Sequence, residues 1–317
     1  MFEAAIGRCR LEVAVRSEIG AGPVQRLENQ DNFLVIDAAG RASYLADEQP
    51  LSRQVDGWPP GHLRLAVMDG MGGHGHGREA AEMVAAGLLA IPACLDVASL
   101  SRHLDGLHRR LQQGFDDLHE AGPRPGTTLT MLEIAPTGKA LLWHAGDSRL
   151  YEITPGAATP LTVDHVPATV LAMAGMIDEE SWWRQVHGSH APHIAQAFIL
   201  GNTLLDITRL DDGLVALDAA TLPPWLRALP DRRAIALRPD ATYLLATDGF
   251  WSCSDPFELV ARWPRLFAAG DACACLDALF AEMAVRPPVG LQPDNLTAIV
   301  LRAGAAAMEE TALPQAG

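Results

Sequence analysis

The chain has 317 residues, 49% of them hydrophobic and 20% charged, values typical of a folded soluble protein and not of a disordered one. Its formal net charge of -15 argues against duplex nucleic acid as a partner, because neutralising phosphates requires a face rich in Lys and Arg. The first residues have no signal-peptide pattern, the five cysteines include no CxxC pair, and no apolar run is long enough for a membrane span. We therefore predict a cytoplasmic protein with free thiols and neither nucleic acid nor membrane as a partner.

The first part of the chain predicts strands followed by helices. The alternating run RLEVAVRSE predicts a strand, and DNFLVIDAAGRASYL predicts two strands joined by a glycine-centred turn. The run HLRLAVMD is continuously apolar, which predicts a strand buried on both faces. Two helical patterns follow, GREAAEMVAAGLLAIPACL and LSRHLDGLHRRLQQGFDDLHEA, separated around Pro92.

The second part returns to strands. The runs TTLTMLEI, KALLWHAG and RLYEIT predict three short strands in an antiparallel meander. Residues 164–205 are the least regular part of the chain and are rich in His and Trp. The runs RAIALR, TYLLATD and NLTAIVLRA predict three late strands, with a helical stretch over 256–285 between the last two.

This order of elements differs from the regular alternation of strand and helix that builds a parallel sheet. It favours an α+β fold, in which two antiparallel β-sheets form a central sandwich flanked by helices on both sides. We predict a single domain over residues 1–303, with an inserted segment at about 164–205. The Ala-rich stretch 304–317 carries too little apolar surface to pack and is predicted to be a disordered tail.

Aspartate stands at the edge of five predicted strands, each time beside a residue that lets the backbone turn. The five are Asp31, Asp69, Asp147, Asp248 and Asp294. Ordinary turn chemistry explains any one of them. However, an apolar strand that ends in a buried carboxylate needs a compensating charge, and carboxylates with few His or thiolate neighbours select Mg²⁺ or Mn²⁺ over zinc. Two such ions about 4 Å apart, sharing a carboxylate and a water, form the arrangement that acts on phosphate esters.

At this point the chain resembles the metal-dependent protein phosphatases (PPM, the type 2C Ser/Thr phosphatases) in their bacterial form. Seven motifs occur in family order over roughly residues 15–302: RLENQDN from Arg26, VMDGMGGH from Val67, GTTLT from Gly126, HAGDSRLY from His144, LTVDH from Leu161, LLATDGFW from Leu244 and DNLTAIVL from Asp294. Each motif alone is weak, but seven in order are specific. The resemblance implies the PPM-type phosphatase fold over 1–303, and it identifies residues 164–205 as the family's flap.

The resemblance also implies a role for each site residue. Asp69 would bridge two Mn²⁺ or Mg²⁺ ions and the Gly70 carbonyl would add a ligand, while Asp248 and Asp294 would hold the other side. Asp31 would bind a metal directly or through water, and Asp147 would belong to a third, weaker metal site. Arg26 would bind the substrate phosphate, because its planar guanidinium can hold two phosphoryl oxygens.

The function implied is that of a phosphoserine/phosphothreonine protein phosphatase, which hydrolyses phosphomonoesters by attack of a water bridging the two ions. It would act on a phosphorylated protein and oppose a bacterial Ser/Thr kinase. The alternative is a catalytically weak phosphatase-fold protein that serves as a regulatory or phospho-binding module. The complete set of five aspartates favours catalysis, because a binding module does not need all of them.

The chain departs from the family at the leaving-group acid. The eukaryotic branch has His two residues after the bridging aspartate, whereas this chain has Met71, as bacterial members commonly do. His74 and His76 are the nearby candidates for the proton donor, and geometry must decide between them and water.

The glycine-rich loop, three histidines and a group of large apolar residues allow other interpretations. The loop GMGGHGHG has no Lys, so it does not match a P-loop, and it also lacks the context of a dinucleotide fingerprint. The spacing of His187, His190 and His193 is compatible with a zinc site or with exposed flap histidines. Trp182, Trp183 and Met176 form either a partner surface or the packing of the flap, and packing is favoured.

Overall fold

The computed structural model describes residues 2–6, 9–20, 26–71, 76–116, 125–188 and 216–305. These residues form fourteen strands and six helices. The strands are β1 (Phe2–Ile6), β2 (Cys9–Glu18), β3 (Asp31–Ile36), β4 (Arg41–Ala46), β5 (Gln49–Gln54), β6 (Leu63–Met71), β7 (Gly126–Thr127), β8 (Leu129–Ile134), β9 (Lys139–Ala145), β10 (Arg149–Ile153), β11 (Ala158–Pro160), β12 (Arg232–Ala236), β13 (Thr242–Ala246) and β14 (Leu296–Ala305). The helices are α1 (Gly77–Leu89), α2 (Val97–Asp116), α3 (Pro167–Met173), α4 (Glu179–His187), α5 (Pro256–Leu266) and α6 (Ala272–Val285).

The strands pair into two sheets. Sheet I has the order β1-β2-β14-β13-β10-β11, and sheet II has the order β12-β9-β8-β6-β3-β4-β5, with the short β7 paired to β6. Each strand pairing found in the described residues is antiparallel.

The alternation of side chains along each strand explains why the sheets stack and why helices cover both outer faces. In β3, Phe33 and Val35 pack in the core between the sheets, while the neighbouring Leu34 and Ile36 pack against α1 and α2. In β14, Ile299 lies between the sheets and the next residue faces α5 and α6. The layers are therefore helix, sheet, sheet and helix, which confirms the predicted α+β sandwich.

The predicted meander is wrong in its last strand. β8 pairs with β9 in sheet II, but β10 crosses to sheet I and lies between β13 and β11. The turn that crosses contains Gly146, whose φ of +109° favours glycine, and a Cβ there would lie 2.5 Å from Thr128 Cγ2. Alternation within RLYEI shows which residues are buried but not which sheet takes the strand, so the local pattern could not predict the crossing.

Two other regions differ from the expectations. Strands β1, β5 and β11 were not predicted, and the first half of the segment called irregular forms helices α3 and α4. Trp182 of α4 is buried in a small cluster with Leu222 and Leu226, so this tryptophan packs the core, whereas Met176 is exposed. Strand β14 runs into the stretch predicted as a tail, and residues 306–317 and 189–205 lie outside the described residues.

Strand β6 carries a charge within its buried run. The guanidinium of Arg64 is fully buried and forms an ion pair with Glu133, with Nε to Oε2 at 2.7 Å. The other acceptors of Arg64 include the carbonyls of Leu88 and Ile91, where α1 ends, so the cation also satisfies free carbonyl groups at this helix terminus. His62 lies 2.9 Å from the same carboxylate.

Cys94, Cys253, Cys273 and Cys275 are free thiols. In the described part of the chain, no helix combines the length and the apolar character that crossing a bilayer requires.

Candidate functional site

The candidate site begins with two aspartates of sheet II. Asp31 is the first residue of β3 and Asp69 lies near the end of β6, and the antiparallel register places the two directly opposite each other. Antiparallel partners on the same face of a sheet have Cβ atoms about 5 Å apart. Two negative charges at that distance repel each other, so this end of the sheet favours the binding of a cation.

Sheet I brings two more aspartates to the same place. Asp147 lies in the turn that crosses between β9 and β10, and Asp248 opens a short 3₁₀ turn directly after β13. Carboxylate oxygens of Asp69, Asp147 and Asp248 all lie within 4.8 Å of one another. The site therefore lies where both sheets end, and the crossing of β10 is what brings Asp147 to Asp69.

The fifth aspartate and the predicted phosphate-binding arginine stand together at the rim. Asp294 lies two residues before β14, and its Oδ1 is 3.0 Å from Nη2 of Arg26. About half of the Arg26 side chain is exposed, whereas Asp294 is mostly covered. Arg26 is thus held beside the aspartates with its outer side accessible to a ligand.

Burial and mutual repulsion raise the pKa values of the clustered carboxyl groups. Burial, with the charges of Asp294 and Asp248 adding to it, raises the pKa of Asp31 to about 8. Burial and then the Asp248 charge raise the pKa of Asp294 to about 6. The pKa values of Asp69 and Asp147 also lie well above their usual range, again chiefly because of burial. Such carboxylates are stabilised in their charged form by a bound cation.

The residues present fit hard divalent cations. Oδ1 of Asp147 is buried and has no hydrogen-bond partner among the described residues, as expected for an atom that would bind a cation. The three clustered side chains supply oxygen donors only, which Mg²⁺ and Mn²⁺ prefer. The cluster of Asp69, Asp147 and Asp248 is the one group of at least three metal-ligating side chains found within the described ranges.

Gly70 occupies a place that has no room for a side chain. A Cβ on Gly70 would lie 2.1 Å from the carbonyl oxygen of Gly77, the first residue of α1, and 2.6 Å from that of Gln30. Likewise, a Cβ on Gly77 would lie 2.6 Å from the Gly70 oxygen. The two glycines let helix α1 begin directly against the end of β6. The part of the Gly70 carbonyl in metal binding remains a prediction.

Hydroxyl groups that the sequence analysis did not single out hold the aspartates in place. Thr247 Oγ1 donates to Oδ2 of Asp31 at 2.7 Å. Thr128 Oγ1 accepts from the backbone N–H of Asp69 at 2.9 Å and lies 2.8 Å from the hydroxyl of Ser148. Thr247 and Ser148 adjoin aspartates in TDG and GDS, and Thr128 belongs to the motif GTTLT, but only the fold shows the contacts.

A buried ion pair lies close to Asp147 in the chain. Nε of Arg149 is 2.9 Å from Oδ1 of Asp164, and Nη2 is 2.7 Å from Oδ2. The guanidinium lies 4.6 Å from the centre of the Trp251 ring, three residues after Asp248. The motif letters DSR and VDH contain both members of the pair, although their spacing in the sequence does not reveal that they meet.

Met71 and the two histidines considered as the leaving-group acid lie at the end of β6 and before α1. Met71 is the last residue of β6 and carries no transferable proton. His76 directly precedes α1, and its Nδ1 lies 3.8 Å from Glu79. His74 lies outside the described residues.

Of the three histidines considered for a zinc site, one lies within the described residues. His187 is the last residue of α4 and is buried, with its ring against Trp183 at a centroid distance of 4.3 Å. His190 and His193 lie outside the described residues. His187 is therefore not an exposed flap histidine.

No protein-family model matches the chain. A protein named "Putative protein phosphatase 2C-type" from Streptococcus pyogenes serotype M6 is 33% identical over 121 residues, which cover 37% of this chain and 49% of that protein. The match thus spans about half the length of this relative.

Solved structures match over nearly the whole chain. The catalytic domain of the serine/threonine protein phosphatase PstP in complex with 2 manganese ions has a TM-score of 0.58 at 22% identity, covering 93% of this chain and 99% of that chain. The S. agalactiae serine/threonine phosphatase has a TM-score of 0.62 at 19% identity, covering 92% and 99%. The chain has the fold of these phosphatases, which confirms the fold that its motifs implied.

Proposed function

We propose that this chain, which has the fold of the serine/threonine protein phosphatases, hydrolyses phosphoserine and phosphothreonine in proteins with Mn²⁺ or Mg²⁺ as cofactor. The observation that carries the proposal is the convergence of Asp69, Asp147 and Asp248 within 4.8 Å at the end of the sandwich. Three carboxylates this close are costly unless they share cations.

The five aspartates divide the work of holding the ions. Asp69, together with the Gly70 carbonyl, would hold two of them, Asp248 and Asp294 would hold the other side, Asp31 would bind directly or through water, and Asp147 would serve a third, weaker site. When bound, the ions supply a water acidic enough to act near neutral pH and positive charge beside the phosphoryl oxygens.

Arg26 binds the phosphate of the substrate. Its ion pair with Asp294 keeps it next to the aspartates, and its half-exposed side chain leaves donors for two phosphoryl oxygens. As negative charge grows on these oxygens during the reaction, fixed hydrogen bonds from Arg26 become stronger. Because Met71 has no proton to give, the leaving oxygen would take its proton from His74, His76 or solvent water.

The substrate is a phosphorylated protein in the cytoplasm, and the enzyme opposes a Ser/Thr kinase. The half-length likeness to a 2C-type phosphatase and the fold shared with the S. agalactiae serine/threonine phosphatase support a phosphorylated protein as the substrate.

The test measures phosphate release from a phosphothreonine peptide and from p-nitrophenyl phosphate, with Mn²⁺ and with a chelator. We expect Asp69→Asn to lower kcat/KM by at least about 100-fold, because even groups that only orient metal ligands contribute about 10–100-fold. Asp271→Asn is the matched control: Asp271 caps α6 through a bond from Ala274 N, and Asn caps helices equally well.

The same two proteins distinguish the enzyme from the alternative function, a regulatory or phospho-binding module. If wild type and Asp69→Asn release phosphate equally slowly, the enzyme assignment is wrong. Calorimetric binding of the intact phosphopeptide by both proteins would then identify a regulatory or phospho-binding module.

A further inference from the structure

His165, the last residue of the motif LTVDH, is bonded to the turn that carries Asp147. Its Nδ1 accepts a hydrogen bond from the backbone N–H of Gly146 at 2.9 Å. Its own backbone N–H donates to the Gly146 carbonyl at 2.8 Å, and this carbonyl belongs to the peptide bond that leads into Asp147. One residue therefore fixes both backbone polar groups of Gly146, directly before the carboxylate of Asp147.

The N–H of Gly146 needs this side chain because strand pairing does not reach it. Strand β9 ends at Ala145 and β10 begins at Arg149, so the turn between them lies outside both strands. The turn is also closed to solvent, since Gly146 is buried and His165 is 1% exposed. A buried N–H that loses its acceptor is destabilising, so we expect the turn to rearrange when the imidazole is removed.

The imidazole is held in the orientation that this bond requires. Because Nδ1 accepts a hydrogen bond, the ring proton is on Nε2, which lies 3.5 Å from Oδ2 of Asp231. The same carboxylate oxygen accepts from the backbone N–H of Leu217 at 2.8 Å. Asp231 thus favours one tautomer of His165, as carboxylates behind metal-bound histidines do. Both ring nitrogens of His165 face protein groups, so His165 is not itself a metal ligand.

The other side of the turn is tied to Asp69. Ser148 follows Asp147, and its hydroxyl lies 2.8 Å from Thr128 Oγ1, which accepts from the backbone N–H of Asp69. Asp147 therefore lies between two buried contacts, and the imidazole of His165 forms one of them. Releasing that contact would let the Asp147 carboxylate leave its place within 4.8 Å of the other two clustered carboxylates.

We propose that His165 is a positioning residue of the metal site, which holds the carboxylate of Asp147 in the cluster through the backbone of Gly146. It acts as a hydrogen-bond acceptor for that backbone and contacts neither the ions nor the substrate. The inference rests on the proposed function, because it requires that the aspartate cluster binds Mn²⁺ or Mg²⁺.

Calorimetric titration of the full chain with Mn²⁺ tests the inference, with two substitutions of His165 that differ in one acceptor. His165→Leu removes the acceptor. His165→Asn keeps one, because Oδ1 of Asn is as many bonds from the backbone as Nδ1 of His. We expect His165→Leu to weaken Mn²⁺ binding by about 10–100-fold, the usual effect of losing a group that orients a metal ligand, and His165→Asn to bind close to wild type.

A double-mutant cycle with Asp147→Asn separates positioning from a general loss of structure. If His165 acts through Asp147, adding His165→Leu to Asp147→Asn should weaken Mn²⁺ binding no further, because the carboxylate that it positions is already gone. Leu279→Ala is the control for stability, since Leu279 is fully buried on α6 and its loss leaves a cavity in the core. We expect this control to lower the Tm without changing the affinity for Mn²⁺.

The inference is overturned if His165→Leu binds Mn²⁺ like the wild type, if His165→Asn binds as weakly as His165→Leu, or if the two losses add in the double variant. Where His165→Leu does not fold, NMR of the nitrogen-labelled wild type decides. A scalar coupling between the Gly146 amide nitrogen and Nδ1 of His165 is expected, and its absence overturns the inference. A wild type that binds no Mn²⁺ would overturn the proposed function as well, whereas wild-type binding that His165→Leu leaves unchanged overturns this inference alone.

Discussion

Arg149 and Asp164 form an ion pair with almost no exposure to solvent, and their closest atoms are 2.7 Å apart. The same guanidinium donates to the Val186 carbonyl near the end of α4 and to the Tyr151 hydroxyl. Thus one side chain, two residues after Asp147, ties β10 to the segment before α3 and to α4. The pair therefore connects α4 with the strand that follows Asp147.

We expect Asp164→Asn to lower the free energy of unfolding by about 3–5 kcal/mol, because removing one member of a buried ion pair leaves the other charge uncompensated. Urea unfolding followed by circular dichroism measures the loss. Asp240→Asn is the control, since Asp240 pairs with Arg238 at 2.9 Å on the exposed surface, and we expect it to change little. Equal stability of Asp164→Asn and wild type would contradict the structural role given to the pair.

The hydroxyl of Thr247 is expected to tune metal binding through Asp31. Val has the shape of Thr but cannot donate to Oδ2 of Asp31, so Thr247→Val should weaken Mn²⁺ binding by about 10–100-fold in calorimetric titration. Thr247→Ser keeps the hydroxyl and should bind close to wild type. A valine variant with wild-type affinity would show that the Thr247 bond does not position this carboxylate.

Gly70→Ala tests the close approach of α1 to β6. The added Cβ would lie 2.1 Å from the Gly77 carbonyl, so the backbone must move, and overpacking of this kind costs about 1–3 kcal/mol or more. We expect a lower Tm and weaker Mn²⁺ binding, because the movement begins one residue from Asp69. Gly156→Ala is the control, since a Cβ there meets nothing within 4 Å. A Tm of Gly70→Ala equal to that of this control would contradict the predicted clash.

The buried carboxylate of Glu133 is expected to make stability depend on pH. Burial alone would raise its pKa, but the hydrogen bond from His62 and the charge of Arg64 outweigh burial and lower the pKa below its usual 4.5. Ionised Glu133 therefore contributes stability that is fully present above about pH 4.5 and is lost as the pH falls through the lower folded-state pKa.

Glu133→Gln removes this contribution and leaves Arg64 without its carboxylate, so we expect a loss of about 3–5 kcal/mol at pH 7. Urea unfolding of wild type and Glu133→Gln at several pH values should show their difference in free energy of unfolding. We expect this difference to shrink as the pH falls below the pKa of Glu133 in the unfolded chain. A difference that stays constant down to pH 3 would rule out ionisation of Glu133 as its source.

Much of the fold was predictable because the alternation of apolar and polar residues and the positions of turn residues match the strands observed. Alternating runs predicted β2, β3 and β4, and the apolar run of β6 is buried as expected, apart from its end. The sandwich between helices followed from the order of the elements. The positions of all five aspartates at strand ends were also visible, since turn residues and strand patterns are local properties.

The sequence by itself determined which aspartates are the candidate oxygen ligands and that they stand at the ends of strands. Only the tertiary structure decided which ends meet. Strand alternation specifies a buried face and leaves open the sheet to which the face belongs, and for this reason the crossing of β10 could not be predicted. That crossing brings Asp147 to Asp69 and Asp248. Contacts between residues distant in sequence, such as Thr247 with Asp31, form only after both sheets have packed, so no local pattern contains them.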